Sequence, residues 1–382
     1  MKRCVYIALW VISVQSVFAQ SYDDLLNQAG AALGQKQYCQ ALAHFERAFV
    51  DSARIGPYDL AFGAIAAANC NQPDVAMRWL RRSVTKGLGQ KPGETEQIIN
   101  DAGFATLRNH PDWPEWAQTM RDNDVRREVK TRQRQTEWTQ MTRRNAVLLV
   151  RNGRYSPASS GFARYVNRVD TLDVPYLVRV PNDYDPTRQY PLLVYLHGGI
   201  VSIDAFRDSD PGVTEEPVFK AAPDAIILYP FGRSTFGWVN QKAALTSVLT
   251  MIDDVTKRYN VDQRRIYLGG MSNGATAAFW YATQHANQFA SFYAFAPGTE
   301  LPAGTIDYGR ISPAAPLYSV SAKDDSVYSY EKVHALYEAQ RSKATGWMFD
   351  TLDSGGHGFI HGPDGAAIMQ KTFARMMRHI RP

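Results

Sequence analysis

The stretch YLGGMSNGATAAF, Tyr267 to Phe279, constrains this chain more than any other. A strand-like run ends in Gly270-Met271-Ser272-Asn273-Gly274, a G-x-S-x-G pattern, and passes directly into alanines, the strongest helix formers. A strand that turns at once into a helix must hold its serine in a strained backbone conformation, and only small residues fit beside it. The hydroxyl is then presented at the end of a sheet, and the helix beginning at Asn273 aims its amide dipoles at the place where negative charge develops in acyl transfer. An inert tight turn would look the same locally. The rest of the chain must therefore supply a base, an acid and an oxyanion site.

From about Gly161 short apolar runs alternate with amphipathic stretches, the pattern of an α/β domain with a largely parallel sheet. The runs are 175–180, 192–196, 225–229, 266–268, 291–296, 317–321 and 347–352, and Leu245, Val248, Leu249, Ile252 and Val255 recur at helical spacing between them. In such a sheet ligands bind beyond the carboxyl ends of the strands, so the residues to inspect are those that follow each run.

After Leu196 comes His197-Gly198-Gly199-Ile200. Small residues there let backbone amides approach an oxyanion, with donors expected near Gly199 or Ile200 and at Asn273; His197 is expected to hold the loop and border the substrate. A serine hydroxyl also needs a base. His357, set among glycines in Asp353-Ser354-Gly355-Gly356-His357-Gly358-Phe359, is preferred over His361 because flanking glycines suit a ring that reaches across the sheet. The acid that orients it is expected in Ser321-Ala322-Lys323-Asp324-Asp325-Ser326-Val327; the S-x-x-D-x-x-V spacing favours Asp324 over Asp325. In FGRSTFGWVN, Phe236 and Trp238 are candidate substrate-binding aromatics, with burial in the core as the alternative.

These elements, PLLVYLHGG, KRYNVDQRRIYLGGMSNGATAAF, QFASFYAFAPG and GGHGF, carry a resemblance. Residues 161–382 resemble an α/β-hydrolase, and within that fold the esterases that include polyhydroxybutyrate depolymerases and the feruloyl and acetyl-xylan esterases of carbohydrate esterase family one. The resemblance implies a mostly parallel sheet flanked by helices and a catalytic Ser272, Asp324 and His357, with no metal and no organic cofactor. Asn273, and Ser321 in the acid loop, depart from the usual residues of such relatives, which leaves the particular ester open.

The N-terminal half reads differently. Offset by 35 residues, Ala29, Ala31, Ala41, Phe45 and Phe49 align with Ala64, Ala66, Ala76, Leu80 and Val84, small against small and bulky against bulky. Residues 21–87 thus resemble two tetratricopeptide-type helix pairs, giving an all-helical domain over 20–122. Cys39 would start the second helix of one repeat and Cys70 end the first helix of the next, so either a disulfide or two buried thiols fits. The stretch RREVKTRQRQTEWTQMTRR is read as the solvated face of a linker helix, 123–160. Lys2 and Arg3 precede an apolar run ending in Val17-Phe18-Ala19, which predicts a secretory leader, 1–19, cleaved after Ala19. Export to the periplasm or the medium, with no membrane association after cleavage, follows.

The net charge of +5 comes from 42 basic and 37 acidic residues scattered along the chain, so no nucleic-acid partner is expected. The sequence therefore points to an exported serine esterase acting on a small-molecule or polysaccharide ester. A serine peptidase of the same fold is the alternative, as is an idle hydrolase whose repeats bind a protein partner.

Overall fold

Period-two alternation builds the larger half of this protein. In a computed structural model describing residues 21–50, 53–152 and 161–382, Leu192, Val194 and Leu196 of one strand face one apolar core while Leu193 and Tyr195 face another. A strand buried on both sides must lie inside a sheet covered by helices on both faces. Burying each such side chain is worth about 1.5–3 kcal/mol.

The chain divides into two compact units, residues up to Arg132 and residues from Gln133. The first contains α1 (Tyr22–Gly34), α2 (Tyr38–Ala48), α3 (Pro57–Asn69), α4 (Pro73–Thr85) and α5 (Glu94–Ile99). The first and third helices begin 35 residues apart, as do the second and fourth. Each first helix of a pair is followed by a residue in the left-handed region, Lys36 (φ 59°) and Asn71 (φ 62°), again 35 apart. Ala29, Ala41, Ala64, Ala66 and Ala76 are fully buried with Phe45 and Leu80, so small residues let the helices close while large ones fill the seam. Ala31 is the exception: it is exposed, so its pairing with Ala66 does not extend to burial. Cys39 and Cys70 form a disulfide, the first of the two outcomes the sequence allowed.

The unit boundary falls inside α6 (Trp113–Asn152). Its basic segment is more than a linker. Trp138 is buried in the second unit, donates from Nε1 to the Asp208 carbonyl (3.1 Å) and packs on Phe162, while Asn145 Nδ2 donates to the Phe162 carbonyl (2.8 Å). The leader predicted at 1–19 lies outside the described residues, and among those described no helix is long and apolar enough to cross a membrane.

The second unit is an α/β-hydrolase fold: an eight-stranded sheet ordered β1-β2-β4-β3-β5-β6-β7-β8. The strands are β1 (Phe162–Val169), β2 (Leu172–Arg179), β3 (Tyr190–Leu196), β4 (Ile226–Pro230), β5 (Val261–Met271), β6 (Ser291–Phe295), β7 (Leu317–Ala322) and β8 (Trp347–Leu352). The pairs β1/β2 and β2/β4 are antiparallel and the others parallel. The first strand is absent from the run of apolar segments because it is an edge strand in which Arg164, Asn167 and Arg168 interrupt the apolar residues and the second half alternates between exposed and half-buried. The helices α7 (Pro217–Ala221), α8 (Lys242–Arg258), α9 (Asn273–Gln284), α10 (Tyr330–Gln340) and α11 (Gly365–Met376) complete the unit. Of these, α9 is buried from Asn273 through Thr283, which a helix built largely from alanine and aromatics requires.

The disulfide joins residues with a sequence separation of 31, and closing a loop of that length is worth about 3–4 kcal/mol in the chain-entropy account. Replacing both cysteines by serine should lower the hydrogen-exchange protection of α2 and α3 by roughly that amount and leave the second unit's exchange unchanged. Equal protection in parent and variant would show that the bridge contributes nothing to the helical unit.

Candidate active site

The sharpest local constraint sits between β5 and α9. Ser272 has φ 54° and ψ −115°, a conformation that costs a non-glycine residue on the order of 1–3 kcal/mol. The surrounding backbone imposes it. A Cβ added at Gly270 would stand 2.0 Å from the Leu196 carbonyl oxygen, and one added at Gly274 would stand 1.9 Å from the same atom. Both glycines are therefore required by the close approach of the turn to the end of β3.

The turn brings Ser272 Oγ to 2.8 Å from His357 Nε2, and His357 Nδ1 lies 2.8 Å from Asp325 Oδ2. A carboxylate can only accept, so Nδ1 carries the proton donated to Asp325 and Nε2 is left to accept from the serine. The side chain of Asp325 is 1% exposed. Its other oxygen accepts from the backbone amides of Val327 and Tyr328, each at 2.8 Å, so both oxygens of the buried carboxylate have partners.

The carboxylate that meets His357 is thus Asp325, the neighbour of the expected Asp324. After β7 the chain turns, Asp325 N donating to the Ala322 carbonyl, and the turn sends Asp325 inward and Asp324 outward. Asp324 instead accepts from the amides of Gly356 (2.8 Å) and Gly355 (3.1 Å), and these bonds hold its carboxyl below the usual range. It secures the loop that carries His357. The rival base His361 is exposed and lines the cavity without contacting Ser272.

Of the expected oxyanion donors, the Ile200 amide is already engaged, donating to Asn273 Oδ1 at 3.2 Å. Gly199, with φ 71° and open space where a Cβ would stand, and Asn273, the first residue of α9, remain. The Asn273 side chain also donates from Nδ2 to Tyr328 Oη (2.9 Å), and the Tyr328 ring stands edge-on to His357 at 5.2 Å. Nothing in the sequence pattern singles out Tyr328, because its role depends on a loop folding back across the sheet.

His197 borders the cavity and holds its loop: Nδ1 donates to the Gly198 carbonyl (2.8 Å) and Nε2 accepts from the Gly232 amide (3.0 Å). Burial pushes its imidazole down to about 4, Arg207 adding to the shift and the Gly198 bond opposing it. Phe236 and Trp238 do not border the cavity. Both are buried, and Trp238 packs edge-on against His197 (5.1 Å), so they lie beneath the loop that borders the cavity.

The cavity over Ser272 and His357 has a volume of about 540 Å³. Tyr229, Phe231 and Met271 give it apolar wall, while Arg207, Asp210, Glu216 and His361 make it polar. Glu216 accepts a long bond from Tyr229 Oη (3.4 Å) at one oxygen, and its other oxygen is buried without a partner among the described residues. Burial raises its carboxyl, with His361 and Tyr229 opposing.

No protein-family model matches the chain. Over 174 residues, 44% of this chain, it is 28% identical to the bifunctional acetylxylan esterase/xylanase XynS20E of Neocallimastix patriciarum, covering 23% of that protein. Over 143 residues, 35% of the chain, it is 27% identical to dipeptidyl-peptidase 5 of Porphyromonas gingivalis, covering 20% of that protein. The chain therefore spans less than a quarter of the length of these relatives. Among solved structures, a thermostable esterase shares 22% identity at a TM-score of 0.46, over 58% of this chain and 64% of that one. A ferulic acid esterase shares 16% at 0.45, over 57% and 97%.

The depressed His197 pKa sets a stability window. The unfolded imidazole titrates near 6.5 and the folded one near 4, so the unfolded chain binds more protons between these values. The group's contribution is complete above pH 6.5 and is lost as pH falls toward 4, by about 3 kcal/mol. His197→Asn keeps an acceptor for Gly232. Urea unfolding from pH 7.5 to 4 should show a variant whose stability falls less steeply than the parent's in that window; parallel curves would rule the linkage out.

Proposed function

We propose that this chain is an exported serine hydrolase that cleaves carboxylic esters, with an acyl group on a saccharide as the favoured substrate class. The observation that carries the reading is the relay Ser272 Oγ, His357 Nε2, His357 Nδ1, Asp325 Oδ2 at successive contacts of 2.8 Å, opening into a cavity. His357 takes the Ser272 proton as Oγ attacks the ester carbonyl, and the resulting imidazolium is stabilised by Asp325. The amides of Gly199 and Asn273 stabilise the oxyanion. Collapse expels the alcohol with a proton from His357, and water enters by the same base to release the acid. The mixed wall supports the substrate class, because Arg207 and Glu216 can exchange hydrogen bonds with hydroxyls that a long alkyl chain lacks. The Cys39–Cys70 disulfide supports an oxidising compartment. A partner on the helical unit remains part of this reading. The similarity to dipeptidyl-peptidase 5 favours one second reading, cleavage of a peptide amide by the same triad.

Purified chain should be assayed on p-nitrophenyl esters, acetylated and feruloylated saccharides and dipeptidyl p-nitroanilides. Ester turnover should fall roughly a million-fold in Ser272→Ala. Turnover of the anilides alone would replace the ester reading with the peptidase one.

The two aspartates separate cleanly. Asp325→Asn removes the charge that orients His357 and should lower kcat by about 10⁴. Asp324→Asn keeps an acceptor for the Gly356 amide and should stay within about tenfold of the parent. The reverse ranking would return the acid to Asp324.

A further inference from the structure

The side chain of Asn273 is a buried polar group of the nucleophile turn that the reaction above leaves unused. It is buried between two loops that the chemistry needs. Its orientation is settled by its partners: Oδ1 faces the Ile200 amide, which can only donate, so Nδ2 faces Tyr328 Oη. The two bonds reach opposite sides of the catalytic centre. On one side lies the loop carrying Gly199; on the other lies Tyr328, whose amide donates to Asp325 and whose ring stands against His357.

We propose that Asn273 is a positioning residue that braces the oxyanion loop and the wall of the catalytic histidine against the nucleophile turn. The proposal rests on the reading of Ser272 as the nucleophile. By engaging the Ile200 amide, the side chain sets the register of the 199–200 turn and leaves the Gly199 amide as the oxyanion donor of that turn. By holding Tyr328 Oη, it fixes the ring that limits rotation of His357. Neither bond touches substrate. Their effect therefore falls on alignment in the transition state, and a misplacement of about 1 Å there costs on the order of 100-fold in rate.

The test compares parent, Asn273→Ala, Tyr328→Phe and the double variant, each first shown to keep the parent's urea midpoint. Two readouts are used: kcat and KM on the best ester, and the rate at which a fluorophosphonate probe labels Ser272. The second does not depend on substrate class. Tyr328→Phe deletes a single hydroxyl and keeps the proposal testable if Asn273→Ala misfolds. The expected result is a roughly tenfold to hundredfold loss in kcat and labelling for Asn273→Ala, a smaller loss for Tyr328→Phe, KM within about twofold, and a double variant no slower than Asn273→Ala. That non-additivity is the signature of one shared contact. Losses that multiply in the double variant, a change confined to KM, or variants that label at the parent's rate would overturn the brace. Absence of labelling in the parent would instead remove the nucleophile assignment, and the brace with it.

Discussion

The contact on which the second unit depends is the approach of the β5–α9 turn to the carbonyl of Leu196. No side chain separates the two backbones, since any carbon at Gly270 or Gly274 would lie about 2 Å from that oxygen. This approach forces Ser272 into its positive-φ conformation and sets α9 down on the sheet. It also brings the residues after β3 alongside Ser272: a Cβ on Gly198 would meet its side chain at 2.9 Å. The turn and the glycine loop are thus two sides of one contact, and the hydrogen bond from the Ile200 amide to Asn273 joins them a second time.

The polar groups beyond that contact form two kinds of support. Asp325 is buried and accepts at one oxygen from His357 and at the other from two backbone amides, so neither oxygen is left without a partner where water cannot reach it. Asp324 is exposed and grips the backbone of the histidine loop. Adjacent aspartates therefore hold the same loop, one through its ring and one through its main chain. His197, uncharged and hydrogen-bonded at both nitrogens, performs the corresponding service for the loops after β3 and β4.

The helical unit is stabilised on different grounds. Its seams are lined with alanine, so each helix buries little apolar area per residue, and the disulfide between the start of α2 and the end of α3 adds a constraint on the unfolded chain. In α6, Trp113, Trp116, Ala117 and Met120 are buried in the core of the helical unit and residues 121–132 are exposed or half-buried, whereas Trp138, Thr142 and Asn145 are buried in the second unit. A basic, uniformly polar composition concealed that change, because one tryptophan and two small polar residues make too weak a stripe to read.

The sequence by itself determined the fold class, the 35-residue repeat and the pairing of Ser272 with His357. Each rests on local rules: alternation at period two, helical spacing, glycines where no side chain fits, and a histidine free to reach. Tertiary structure decided the rest. Asp324 and Asp325 are chemically identical and adjacent, and only the direction of a turn after β7 distinguishes them. Ile200 lost its place as an oxyanion donor to a side chain 73 residues away, and Phe236 and Trp238 passed from candidate substrate contacts to the core beneath His197. In each case the residue type permitted the role, and the direction in which the folded backbone aimed the group assigned it.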